Sequence, residues 1–509
     1  MELTAHSATR PAERERTSAL TVLICVLLFI GWVGEWPLEL DPVMYLGLWR
    51  SSFGLLAPMF APVPGISLFP WQLLLLGLAP FCLSQSNALR RHAPEMDRAI
   101  FLSLACIVIT VLWGLVRGGS AYFAYYQLWR FLAALLVAYM LMSAMRTRRD
   151  LVILGRTLTL AALIRATMCI YFYWTHVYGR IFPAPEFVTN HDDTILWVVG
   201  ILIVTLWALQ KGGRKAWAVA ALAVPYVVYA IVLNTRRIAW VELLMALPVL
   251  YILMGAGPMR SRINRWAMIA APLVVIYIIA GLSSTSPVFS PVHALMTTGS
   301  NYDPSSLTRQ EEARNLLHTL VDMGNPLLGT GWGIPYDRLE HYWSNYNAGW
   351  ILVLYTPHNA ILGLAAFSGL VGIIGIWGVV PTGAYLAARG YKGSDDVVVR
   401  TAAMVAIGAI AAYSVHCYGD IGFESFQVSL VFGAALATAG KVASWREALP
   451  AAHAATARAG AGRQALQPRP TGRKPGTIAP RFGPSSPRSG SAADDAAGPK
   501  RTPPRRLSR

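Results

Sequence analysis

Apolar runs close to the length of a membrane-spanning helix recur along this chain, at roughly 18–33, 67–84, 99–116, 129–145, 151–174, 195–210, 217–233, 238–254, 266–282, 359–379, 401–418 and 424–440. Polar connections separate them, so the pattern predicts about twelve transmembrane helices and an all-α polytopic membrane protein. Basic residues test that count. Arg90-Arg91, Arg146-Thr147-Arg148-Arg149, Lys211 to Lys215, Arg260 to Arg265 and Arg389 to Arg400 fall on alternate connections. Together with a basic N-terminus and tail they define one side, which the positive-inside rule makes cytoplasmic. The apolar stretch 44–62 would break the alternation as a full crossing, so it is expected to be re-entrant or interfacial. Both termini are then cytoplasmic. Arg10, Arg14 and Arg16 precede the first run, but no small-residue cleavage signal follows, so Ser18–Val33 reads as a retained helix rather than a signal peptide.

The outer connections are short except one, 283–357. That loop carries its own helix signal: Asp303-Pro304 gives a cap and first-turn proline, Leu316, Leu317, Leu320 and Val321 make an apolar face, and Gly324 then Asn325-Pro326 stop it. An ordered loop of this length is where function concentrates. Within it, Gly329-Thr330-Gly331-Trp332-Gly333 resembles a phosphate loop, yet it lacks the following Lys-Ser/Thr and has no strand before it; a tight turn fits better.

Composition narrows the function. Hydrophobic residues are 55% of the chain and charged residues only 14%, too few to cover a soluble surface of this size. The net charge of +17 invites a nucleic-acid reading, but 441–509 holds fourteen Lys/Arg against three Asp/Glu and so carries +11 alone. This tail is rich in Pro, Gly, Ala, Ser and Arg and is expected to be a disordered cytoplasmic extension, solvated or drawn to anionic lipid, with no nucleic-acid partner. The domain plan is thus a cytoplasmic N-terminus at 1–17, a membrane domain at 18–440 and a basic tail at 441–509. The five cysteines all lie in apolar runs and read as small core residues.

Candidate chemistry collects on the outer side. Asn234-Thr235-Arg236-Arg237 joins two apolar helices and is the basic doublet that runs against the charge rule; guanidinium forks suit phosphate oxygens, and snorkelling to headgroups is the bland alternative. Arg309 and Arg314 lie on the loop helix with Glu312 three residues after Arg309, an ordinary exposed ion-pair spacing unless the helix closes over an anion. His191-Asp192-Asp193 could ligate a metal, but two acids before a helix more often cap it and meet its dipole. Arg156, Arg165 and Glu242 lie inside apolar segments; Arg156 can snorkel, and Arg165 needs a partner, for which Glu242 is one candidate. Tyr171, Tyr173, Trp174, Tyr342, Trp343, Tyr346 and Trp350 suit an interfacial belt and could also stack on sugar rings. Finally, His358-Asn359 opens an apolar helix containing Gly369 and Gly372, small residues that admit a close neighbour.

His358-Asn359-x9-Gly369-x2-Gly372 after a large loop, Pro326-Leu327-Leu328-Gly329-Thr330-Gly331-Trp332-Gly333 within it, and Thr235-Arg236-Arg237 opening a helix together resemble the O-antigen ligase and O-antigen polymerase superfamily. The resemblance covers roughly 195–380; the doubled arginine and the long basic tail depart from it. It implies a metal-independent, inverting transfer, without cofactor, of an undecaprenyl-diphosphate-linked glycan at the periplasmic face of a bacterial inner membrane. On that pattern Arg236 or Arg237 and Arg309 hold the donor diphosphate, with Asn359 and Arg314 as further binding residues. His358 positions or deprotonates the acceptor hydroxyl, and Gly329, Gly331, Gly333, Gly369 and Gly372 shape the backbone. The acceptor is lipid A-core for a ligase or a growing glycan for a polymerase, with membrane lipids as surroundings; protein O-glycosylation is a third branch. Elementary chemistry agrees: preorganised cations stabilise charge developing on a leaving phosphate, and imidazole suits hydroxyl activation near neutral pH. A transporter or flippase is the reading from another class; it predicts paired broken helices in two halves, and no such symmetry is visible in the sequence.

Overall fold

The computed structural model describes residues 17–34, 60–63, 66–68, 70–84, 93–179, 188–255, 257–284, 289–297, 304–339, 354–420, 422–423 and 425–465. Each of the twelve predicted segments lies on a helix. The helices in chain order are α1 (Ala19–Gly34), α2 (Pro70–Ser84), α3 (Pro94–Val116), α4 (Ala121–Ala144), α5 (Arg148–Phe172), α6 (Asp193–Lys211), α7 (Arg214–Asn234), α8 (Arg237–Leu253), α9 (Pro258–Ser283), then α10 (Ser290–Thr297) and α11 (Pro304–His318) in the long loop 283–357, and α12 (Ala360–Val371), α13 (Val379–Gly393), α14 (Val397–Gly419) and α15 (Phe426–Ala465). A short antiparallel hairpin, β1 (Phe60–Val63) and β2 (Ile66–Leu68), precedes α2. It takes up the end of the expected interfacial stretch 44–62, whose remainder lies outside the described residues.

Nine spans among the described residues are long and apolar enough to cross a membrane by length and composition. Helices α1, α2 and α8, of 16, 15 and 17 residues, fall short of those nine spans. The exposed surface has the polarity of a membrane protein: Leu273, Val275, Ile276 and Ile279 of α9 and Leu74, Phe101, Val108 and Leu222 elsewhere are bare. By contrast residues 426–444 of α15 are all buried.

Local sequence explains the helix ends. Thr147 and Asp150 form a reciprocal capping box at the start of α5, and Asp150 also accepts from the Ser18 backbone N–H, tying α1 to α5 at 3.0 Å. Asp396 caps α14 through Val398 and Val399, and its other carboxylate oxygen holds Arg148 at 2.6 Å. Prolines stand at the first turn of α3 and α9, where the missing N–H costs nothing. Helix α14 packs against α6, α8 and α13.

Two boundaries differ from expectation. The segment predicted at 359–379 does not end there: a π-helical turn at Gly372–Ile376 leads into α13, so the helical path reaches Gly393. The last helix passes the expected border at 440 and runs to Ala465, because alanines dominate 448–465 and favour helix over coil. The chain divides into units at 1–453 and 454–509; in the second, the described part is the helical stretch ending at Ala465.

Candidate active site

The glycine motifs build a clasp. Helix α12 breaks at Gly369, whose φ of 55° and ψ of −148° are open to glycine alone without strain. The break frees backbone groups for the segment after the loop helix. Thr330 and Gly331 donate their N–H groups to the carbonyls of Ala366 and Phe367, both at 2.9 Å. Leu370 and Val371 donate back to Pro326 and Leu327, both at 3.0 Å. Asn325 closes the turn, its side-chain oxygen accepting from Leu327 N–H at 2.8 Å. Gly331 has φ of 94° and lies against the backbone of Gly114, where a Cβ would collide. Gly333 crosses Ser120 in the same way and donates to Gln127 Oε1 at 2.7 Å. Trp332 reaches Thr110 Oγ1 at 3.0 Å, and Arg117 donates to the Thr330 and Met323 carbonyls. The long loop is therefore bolted to α3, α4 and α12. Gly372 starts the π turn and faces Ser368 and Leu364.

That anchorage brings α11 to the mouth of α12. Glu312, buried at 5% exposure, accepts from the Asn359 N–H at 3.1 Å and meets His358 Nδ1 at 2.8 Å. Asn359 caps α12, its side-chain oxygen accepting from Leu362 N–H at 3.0 Å. A carboxylate at a helix N-terminus is favoured by the helix dipole. Because ionised Glu312 only accepts, Nδ1 of His358 carries a proton and Nε2 keeps its lone pair when the ring is neutral. The His358 side chain is 41% exposed, open to a substrate. The Glu312 hydrogen bond raises its pKa above the ordinary 6.5; burial works against that rise, and the negative charges of Glu312 and Asp420 reinforce it. The charge of Arg309 opposes it, which puts that guanidinium within electrostatic reach of the ring. Arg309 lies three residues before Glu312 on α11, the helix that Glu312 ties to His358. Arg314 is two residues past Glu312, about 200° around the helix, and exposed.

The arginine doublet sits on a strained turn. Thr235 has φ of 54°, the one positive φ of a non-glycine among the described residues. For a β-branched side chain this is costly and concentrates at working sites. Asn234 fixes the turn by accepting from Val188 and Thr189 N–H groups at 3.0 and 2.7 Å. Arg236 and Arg237, both half-buried, follow at the start of α8. The next residue, Ile238, packs against Gly419, which precedes Asp420; in this way the doublet's helix end adjoins the carboxylate that acts on His358.

Beneath the mouth the pairing differs from the sequence expectation. Arg165 is matched not with Glu242 but with Asp193, Nε to Oδ1 at 2.6 Å, both side chains fully buried. Glu242 instead meets His416 Nδ1 at 2.8 Å, with Thr194 Oγ1 at 3.4 Å. Asp193 consequently spends its carboxylate sideways rather than on capping α6, and Asp192, at the cap position, makes no side-chain cap bond. His191 lies 3.5 Å from Asp192 and 4.0 Å from Asp420. His416 and Asp420 escape the sequence reading, and Glu312 enters it only as an exposed ion-pair partner for Arg309. Its inward role had a signal: it stands four residues before the buried Leu316. Of the aromatics, Tyr171 and Trp174 are exposed, while Tyr342, Trp343, Tyr346 and Trp350 lie outside the described residues.

Comparison with known proteins comes down to one stretch. No curated protein matches this sequence. A solved structure described as the structural coordination of polymerization and crosslinking by a peptidoglycan synthase complex contains a similar chain, at 18% identity and a TM-score of 0.39, covering 69% of this chain and 96% of that one. The model of the O-antigen ligase family matches residues 222–377, which include the arginine turn, α11, the clasp and His358. On that match residues 222–377 carry an O-antigen ligase domain.

Proposed function

We propose that the protein transfers an undecaprenyl-diphosphate-linked glycan onto an acceptor hydroxyl, acting as a ligase with lipid A-core as acceptor. The match of residues 222–377 to the O-antigen ligase family, whose members transfer glycans, supports the class. The observation that carries the rest is the Glu312 bracket, which binds the Arg309 helix to His358 and Asn359 in a single hydrogen-bonded unit. In this reading Arg309 with Arg236 or Arg237 grips the diphosphate and neutralises charge that grows on it as the sugar–phosphate bond breaks. His358 Nε2 takes the proton of the acceptor hydroxyl while Nδ1–H stays on Glu312. The oxygen attacks the anomeric carbon from the face opposite the diphosphate, and configuration inverts. Guanidinium groups do the electrostatic work, and no metal enters the step.

The site faces the periplasm of a bacterial inner membrane, with both termini cytoplasmic. Support comes from charge: Arg148, Arg389 and Arg400 lie at the helix ends remote from His358, as the positive-inside rule requires of the cytoplasmic side.

The test is a deletion strain complemented with wild type, Arg309→Ala or His358→Ala. Complementation restores surface glycan with wild type, and both variants insert into the membrane yet abolish it. Free lipid-linked polymer accumulates in the deletion strain. Accumulation of single repeat units instead would assign the chain to the polymerase branch, and wild-type surface glycan in both variants would remove the site.

A further inference from the structure

A cavity of about 340 Å³ opens between α5, α6, α7, α14 and α15, in the half of the bundle away from His358. Its position follows from its lining. Leu151 and Leu154 lie near the start of α5 and Val398 near the start of α14, whereas the active-site mouth adjoins the other end of α14 at Asp420. The volume is within the range of ligand pockets, but the walls decide what fits. Leucines, Ile203, Val204 and Trp207 make most of the surface. The three threonines that line it turn their hydroxyls back onto their own helices: Thr159 to Gly155 O at 2.8 Å, Thr401 to Val397 O at 2.7 Å and Thr438 to Ala434 O at 2.8 Å. Each hydroxyl proton is spent on its own helix, so the wall offers an incoming group no free hydroxyl donor. A sugar or nucleotide would lose its hydration there without replacement; an alkyl chain would not.

One charged residue lines the cavity, Arg156. It is exposed, and among the described residues it has neither a hydrogen bond nor an ion pair. It stands eight residues after Arg148, about 12 Å along a helix that reads as membrane-spanning. A guanidinium at that depth needs an anion or a path to the interface. Its neighbour at the helix start, Arg148, already has Asp396, whereas Arg156 meets no carboxylate among the described residues.

We propose that this cavity is a phospholipid site: one acyl chain fills the apolar space, and the phosphate of an anionic headgroup meets the Arg156 guanidinium. The dry wall and the uncompensated cation select the same ligand, a long hydrocarbon attached to a negative head. Because the cavity lies away from the mouth, the occupant comes from the leaflet opposite the His358 side and is not the donor bound for transfer.

The experiment uses the full chain in nanodiscs of equal parts phosphatidylglycerol and phosphatidylcholine, released into native mass spectrometry. Wild type retains one phospholipid per chain, with phosphatidylglycerol favoured. Gly155→Leu fills the cavity, since a Cβ at Gly155 meets nothing closer than Ile203 Cγ2 at 3.9 Å and the rest of the side chain grows into the space; retention is lost. Arg156→Gln is a surface change that keeps the fold, and it lowers the preference for phosphatidylglycerol about fivefold while an acyl chain is still held. Equal phosphatidylglycerol retention in wild type and Gly155→Leu overturns the proposal, as does an unchanged lipid preference in Arg156→Gln. If chain purified from bacterial membranes instead retains a polyprenyl phosphate that Gly155→Leu releases, the site belongs to the donor lipid and the phospholipid assignment fails. Transfer activity is not read, so the outcome is independent of the glycan-transfer reading.

Discussion

Glu312→Gln separates geometry from charge at the candidate site. Gln is nearly isosteric but brings one acceptor and one amide donor. The Asn359 N–H needs the acceptor, so the amide is left facing His358 Nδ1. Nδ1 must then accept, the ring proton moves to Nε2, and the lone pair that would receive the acceptor's proton is gone. Hydrogen bonds to a charged group contribute about 1.5–3 kcal/mol each. Reversing one bond and removing the charge from both corresponds to a transfer rate lower by about a hundredfold. The charge loss has its own signature. Glu312 holds the His358 pKa above 6.5, so the neutral, proton-accepting ring dominates only above that raised value. Without the carboxylate charge the pKa falls, and the acid limb of the rate profile moves to lower pH. Stability follows the same linkage. The Glu312–His358 pair stabilises the fold fully below about 6.5 and loses that effect as pH rises through the raised pKa, so the wild type's advantage over Glu312→Gln shrinks on the alkaline side. The assay is glycan transfer in proteoliposomes from a lipid-linked donor, measured across pH, with thermal unfolding alongside. A rate within twofold of wild type and an unmoved acid limb would refute the role given to Glu312.

Other variants test the supports. Gly331→Ala forces a Cβ into positive φ and onto the Gly114 backbone, so thermal unfolding in detergent should show a loss of about 3 kcal/mol or more. Asp193→Ala leaves Arg165 buried without its counter-ion and should cost about 3–5 kcal/mol, while the apolar double variant Arg165→Met with Asp193→Leu recovers most of it; a mild single variant would argue against the buried pair. Truncation after Ala465 should leave insertion and surface glycan at wild-type levels, and loss of transfer in an inserted truncation would give the basic tail a catalytic part.

The helices were legible because hydrocarbon thickness imposes length and composition on any chain that crosses it. Their continuation was less so. Nothing in Leu370 to Trp377 announces that the helix passes through a π turn to Gly393, since that depends on Gly375 meeting Cys106 of α3. At the site, His358 and the glycines stood out by spacing and Arg309 only by its place on the long loop, and the fold gives each glycine a definite neighbour. The partner of Arg165 could not be read, because Asp193 and Glu242 are both acids on apolar helices and only helix rotation decides between them. Glu312 fits two readings in sequence, an exposed partner for Arg309 or an inward group one turn before Leu316. Packing of α11 on α12 selects the second.

The clasp between 326–331 and 366–371 recognises main chain by main chain. Such a joint is indifferent to most side-chain identities and intolerant at a few points. Leu327, which is exposed, can drift freely, whereas Gly329, Gly331 and Gly369 cannot gain a single carbon. Saturation mutagenesis across this strip would read as a comb, with sharp teeth at three glycines and permissive gaps between. Descendants of this chain could therefore rewrite the loop for new sugars while inheriting the hinge intact.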